Sequence, residues 1–261
     1  MTNTVTIPSN VLPEDGRFGS GPTKIRPEQI QALDKGARDL LGTSHRQTPI
    51  KQVVGSIREG LSEFFQTPDG YEVVLGNGGA SAFWDIACAS LITRKAAFGT
   101  YGSFSSKFAK SAQSAPFLEE PEIFAGEPGT YRLPELTEYV DSYCWAHNET
   151  STGVAAPIKR IAGTKEQGAL TLIDATSGAG ALPVDISQTD AYYFSPQRPS
   201  APTVVCGSPC FPPPRSNAHT ASPKAWTFRA HAAGSHRSYH SPRPSRIRAR
   251  IRRSIPRPWL R

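Results

Sequence analysis

No aspartate or glutamate follows Asp190 in this chain of 261 residues, and that asymmetry divides it into two materials. The 64 residues from Arg198 onward hold 12 Arg, one Lys, 11 of the 24 prolines and nine serines, a net charge of +13. The first 197 hold 16 Lys and Arg against 22 Asp and Glu, a net charge of −6. A proline-rich segment without acids, whose apolar residues keep neither strand nor helix period, cannot bury enough surface to offset its chain entropy. Residues 198–261 are therefore expected to be a disordered tail. Folding is expected within residues 1–197, long enough for one substantial core.

No leading basic and apolar segment resembles a signal peptide, and no apolar run is long enough to span a bilayer, so a cytoplasmic chain is expected. Cys88 and Cys144 stand alone, and Cys206 and Cys210 lack a second ligand pair, which supports neither a disulfide framework nor a metal site.

Within the first part, "RPEQIQALDKGARDLLG" predicts a helix with Pro27 near its start, Ile30, Leu33, Ala37 and Leu40 at helical spacing, and Gly42 as its stop. A second helix is expected after Thr48 and Pro49. "YEVVLG" reads as a strand, "NGG" as a turn and "ASAFWDIACASLI" as a helix. "AAFGTYG" (strand), "SFSSKFAKSA" (helix), "YVDSYCWAHNE", "ALTLIDATS" and "DAYYFSPQ" (strands) continue the alternation. This order predicts an α/β fold with a mainly parallel sheet covered by helices, in which ligands bind at the carboxyl ends of the strands.

Four places could carry chemistry there. Gly78, Gly79, Ala80 and Ser81 lie where a strand hands over to a helix, so backbone N–H groups could receive a phosphate; a tight turn without ligand fits equally. Asp174 emerges from the apolar run "LTLI", and a carboxylate buried there needs a partner such as a protonated ring nitrogen, unless it caps a turn. His147 to Thr152 form a polar cluster after a strand, a site or simply a polar loop. His45 and Arg46 precede a helix and could recognise an anionic substrate, or remain a solvated basic pair.

Together the segments "FGSGPTKIRPEQ", "GTSHRQ", "LGNGGASAFWD", "HNETSTG", "IDATSGAG" and "DAYYFSPQ", in this order and spacing, resemble the phosphoserine aminotransferases of actinobacteria, over Val11 to Gln197. The resemblance implies the class V aminotransferase family and pyridoxal 5'-phosphate fold type I. It also implies a homodimer, glutamate and a phosphorylated keto acid as substrates, and a role in serine biosynthesis. Carried over by motif, Gly79, Ala80, Ser81 and Gln197 would hold the cofactor phosphate, and Phe104 would stack on its ring. Thr150 would bond near the ring oxygen, Asp174 would pair with the pyridinium nitrogen, and His45 with Arg46 would bind the substrate's anionic groups.

In that family a lysine follows "SPQ" and forms the Schiff base. Arg198 occupies its place, and a guanidinium that does not lose its proton cannot make that link, so covalent cofactor attachment and turnover are not expected of the chain as written. Codons regrouped by one base from Arg198 permit "AFGADGGLWLALLS" over residues 198–211, which is family-like at every position. Loss of one A from CAR-AAG-RCC would turn Gln-Lys-Ala or Gln-Lys-Thr into Gln-Arg-Pro. A frameshift after Gln197, in the gene or its reading, is therefore expected. It would remove the rest of the large domain and a C-terminal small domain, leaving apolar surface uncovered. Two alternatives remain: another class V transaminase, such as the alanine–glyoxylate type, or nonspecific nucleic-acid binding through "RIRARIRR" in the tail, with no specific nucleic acid expected.

Overall fold

The computed structural model describes residues 7–12, residues 25–196 and the backbone of residues 203–207. Helix α1 (Pro27–Leu40) opens with proline in its first turn, where the absent N–H has no intrahelical partner to lose, and Arg26 N donates to Gln29 Oε1 at 2.8 Å. Helix α2 (Thr48–Phe64) repeats the device with Pro49. Strand β1 (Glu72–Gly76) leads through the glycine turn into α3 (Ala80–Ile86), which widens into a π turn at Ala87–Leu91 closed by Ile92 N on Ala87 O at 2.8 Å.

Next come β2 (Ala96–Thr100), α4 (Ser103–Gln113), β3 (Glu122–Ala125), β4 (Ser142–Ala146), a hairpin of β5 (Asn148–Glu149) and β6 (Val154–Ala155), β7 (Leu170–Asp174), β8 (Ala191–Phe194) and β9 (Thr203–Gly207). The main sheet has seven strands in the order β1-β9-β8-β7-β4-β2-β3. From β3 to β8 each neighbouring pair is parallel, whereas β9 runs antiparallel between β8 and β1. The α/β expectation and its strands and helices are borne out.

Strand β9 corrects one expectation. It lies inside the segment read as a tail without regular structure, yet Thr203–Gly207 pairs with all five residues of β1 and with Ala191, Tyr192, Tyr193 and Phe194 of β8. "TVVC" is a β-branched run too short to show a period, and two facing strand edges supply the partners for its backbone groups. The remainder of the expected tail lies outside the described residues.

Both faces of the central strands β2, β4, β7 and β8 are buried, which explains why these run mostly apolar rather than alternating. Tyr143, Trp145, Ile173, Tyr192 and Phe194 point to one face. Phe98, Cys144, Leu172 and Tyr193 point to the other, against Phe83 and Trp84 of α3 and Phe108, Ala109 and Ala112 of α4. Cys88 and Cys144 are free thiols on this second face, where burial raises both; that of Cys88 is pushed to about 12.

Helices α1 and α2 bury none of their residues. Their apolar stripes leave Ile30, Leu33, Ile57 and Phe64 exposed, Leu33 at 71%. No helix among the described residues is long and apolar enough to cross a membrane.

Candidate functional site

The parallel strands β2, β4 and β7 end side by side, and the chain leaves β2 toward β3 on one side before returning to β4 on the other. Such a reversal opens a crevice at the strands' carboxyl ends. Three segments singled out from sequence meet there: Asp174 closes β7, residues 147–152 follow β4, and Phe104 lies in the first turn of α4 after β2.

Asp174 is 7% exposed and belongs to the face covered by α3 and α4. Its Oδ1 accepts from Thr176 N at 3.0 Å and its Oδ2 from the Tyr193 hydroxyl at 3.2 Å. That hydroxyl in turn accepts from Trp84 Nε1 at 2.9 Å. The Tyr193 ring stacks on Phe83 with centroids 3.9 Å apart and meets Phe108 edge-on, so the hydroxyl is held in place by packing on both sides.

Burial pushes the Asp174 carboxyl above its usual range; the Thr176 N–H and the Thr176, Tyr193 and Trp84 side chains only partly oppose this. The Thr176 hydroxyl oxygen is buried and meets no hydrogen-bond partner among the described residues. A carboxyl buried this deeply suits a cation arriving beside it.

The polar cluster 147–152 separates into different tasks. His147 turns to the opposite face of the sheet, where its Nδ1 lies 3.0 Å from the Tyr192 hydroxyl and burial lowers its pKa. A Cβ on Gly178 would come within 3.0 Å of this ring, so the glycine makes room for it. His147 is a packed core histidine. Asn148 and Ser177 bond each other, Nδ2 to Oγ and Oγ to backbone O, both at 2.9 Å.

Glu149 is 0% exposed and returns to the crevice. Its Oε2 accepts from Ser105 N and Ser105 Oγ, both at 2.9 Å, and from Phe104 N at 3.1 Å, while Oε1 accepts from Ser151 Oγ at 2.7 Å. Burial alone would push this carboxyl up; the bonds from Ser105, Ser151 and Phe104 outweigh burial and hold it below the usual range. Glu149 therefore fills the positive end of α4. A Cβ on Gly102, the residue before α4, would stand 2.2 Å from Glu149 Cγ. Neither Glu149 as a cap nor the Trp84–Tyr193–Asp174 chain was foreseen from sequence; the only signal was an acid amid hydroxyl residues after a strand.

The glycine turn leads directly into α3, whose Gly79 is the residue before the helix. Gly78 has φ +98°, and a Cβ there would meet Ala82 Cβ at 2.8 Å, so only glycine fits. Ser81 is exposed at this helix start, one turn from Trp84. Thr150 is exposed on the turn after β5, which is tied down by Ser103 N on Ser151 Oγ at 2.8 Å and by Thr152 Oγ1 on Tyr101 O at 2.8 Å. His45 and Arg46 are exposed on the α1–α2 turn, where Arg46 N donates to Ser44 Oγ at 3.3 Å, and no described bond joins them to the crevice. Gln197 and Arg198 lie outside the described residues.

Residues 123–208 match the family model for class-V aminotransferases. A phosphoserine aminotransferase of Nocardioides sp. is 54% identical over 198 residues, covering 76% of this chain and 53% of that protein. The phosphoserine aminotransferase of Corynebacterium glutamicum is 56% identical, covering 76% and 52%. The chain thus spans about half the length of these relatives. The crystal structure of a phosphoserine aminotransferase from Cytophaga hutchinsonii shares the fold, with a TM-score of 0.64 and 23% identity over 72% of this chain and 54% of that one. Over three quarters of its length, then, this chain is similar to phosphoserine aminotransferases, and a third of it matches the class-V aminotransferases.

Proposed function

We propose that residues 1–197 are the amino-terminal part of a phosphoserine aminotransferase, a homodimer in its complete form, and that the crevice at the strand ends is its pyridoxal 5'-phosphate cradle. The observation that carries this reading is Asp174: a buried carboxyl, pushed up by burial, fixed by Tyr193 and Thr176 and without a cationic partner among the described residues. Its orphaned neighbour, the Thr176 hydroxyl, offers a further polar contact to an incoming ring.

When bound, pyridoxal 5'-phosphate supplies a pyridinium electron sink for amino-group transfer. Asp174 keeps the ring nitrogen protonated, an ion pair that lies deep enough to be weakly screened. Gly79, Ala80, Ser81 and Gln197 hold the phosphate. Phe104 covers one face of the ring, and Thr150 bonds near the ring oxygen. His45 and Arg46 receive the anionic groups of the substrate. The complete protein would exchange an amino group between glutamate and 3-phosphohydroxypyruvate, giving 2-oxoglutarate and O-phosphoserine. The identities of 54% and 56% to phosphoserine aminotransferases support this substrate over other class V substrates.

Arg198 stands where the amine should be, so the chain as written holds the cofactor without a covalent link and turns over little. A one-base slip after Gln197 accounts for this and for the acid-free composition beyond it. Sequencing the coding DNA around codon 198 tests the slip: codons incompatible with "FGADGGLW" in the shifted frame defeat it. Expressing the frame-restored protein tests the activity: brisk transamination of 3-phosphohydroxypyruvate is expected, and its absence contradicts the assignment.

A further inference from the structure

Resting on the cofactor reading above, we infer that Glu149 is a positioning residue for the ring end of the cradle: one carboxylate locks the turn that carries Phe104 to the turn that carries Thr150. Phe104 N and Ser105 N reach it from α4, and Ser151 reaches it from the turn after β5. Ser103 N on Ser151 Oγ closes the same link from the other side. Phe104 and Thr150 are far apart in sequence, and each lies one residue from atoms bound to this carboxylate or donates to it directly.

The burial of Glu149 gives it no alternative partner in solvent, and its donors keep it ionised. Because a carboxylate fills the positive end of α4, an anionic ligand is refused there and left to the start of α3. Glu149 thus arranges the ring contacts without touching the phosphate contacts. Gly102 lets the carboxylate close against the start of α4, since a Cβ there would stand 2.2 Å from Glu149 Cγ.

The test is a titration of the full chain with pyridoxal 5'-phosphate, followed by tryptophan fluorescence, beside competition by inorganic phosphate. Glu149→Gln keeps the shape but turns an NH2 toward donor groups; it should weaken pyridoxal 5'-phosphate at least tenfold and leave the competition constant of inorganic phosphate unchanged. Ser151→Ala removes one hydroxyl on an exposed turn, leaves Glu149 capping Phe104 N and Ser105 N, and should weaken the cofactor severalfold, which serves if Glu149→Gln fails to fold. Equal cofactor binding by both variants and wild type overturns the inference alone. Parallel loss of cofactor and phosphate also overturns it, by showing a cap with no ring-specific part. Failure of the wild-type chain to bind pyridoxal 5'-phosphate overturns the cofactor reading and this inference with it.

Discussion

Asp174 and Glu149 are both buried carboxyls at the same end of one sheet, and the chain treats them oppositely. Glu149 receives donors from Phe104, Ser105 and Ser151 and is held below its usual pKa; Asp174 is pushed above its own by burial that its donors only partly oppose. Burial opposes ionisation in both cases; it outweighs the donors at the more deeply set Asp174 and is outweighed by them at Glu149. At Glu149 the donors offset burial, whereas at Asp174 burial prevails, a local cost in stability that a cationic ligand would offset.

The contrast is broken most severely on the Glu149 side. Glu149→Ala leaves the first N–H groups of α4 buried without an acceptor and should destabilise the chain by about 2–4 kcal/mol in denaturant unfolding. Gly102→Ala drives a methyl group into Glu149 and should cost about 1–3 kcal/mol by overpacking. The double variant should lose clearly less than the sum, because shortening residue 149 removes the clash. Strict additivity would mean that the two residues do not press on each other.

On the Asp174 side, Tyr193→Phe removes a donor to the carboxyl and the acceptor of Trp84 Nε1, with an expected cost of about 1–2 kcal/mol. Asp174→Asn should reduce cofactor affinity and yet melt no lower than wild type at neutral pH, since it removes a carboxyl that burial disfavours.

The two groups also give pH dependences of opposite sign. Between the folded and the ordinary pKa of Glu149 the unfolded chain holds more protons, so this contribution is complete above the ordinary value and is lost as pH falls through the folded one. Between the ordinary and the folded pKa of Asp174 the folded chain holds more protons, so stability falls as pH rises across that interval. Melts across the acid range should show Glu149→Gln losing the first dependence and Asp174→Asn the second.

The sheet was largely legible because its signals are local: Pro27 and Gly42 bracket α1, the glycine turn separates β1 from α3, and apolar runs mark β2, β4, β7 and β8. Strand β3 was not, since "EIFA" is too short to show a period, nor was β9, whose pairing comes from β1 and β8. The same division runs through the site. Asp174 at the end of "LTLI" declares itself by position along one strand. The Glu149 cap escapes the usual capping pattern because acid and helix are 44 residues apart, and Trp84 meets Tyr193 across 109. Geometry of that kind is made by packing and has no footprint in a short window of sequence.

The central claim, that Asp174 is a carboxyl waiting for a cationic ring, is tested most directly by carboxyl carbon NMR titration of Asp174 with and without pyridoxal 5'-phosphate. The account predicts a titration above the usual aspartate range in the free chain and a marked fall on cofactor addition, with Glu149 unmoved. An Asp174 titration that is ordinary in the free chain, or that stays raised when the cofactor is bound, would contradict it.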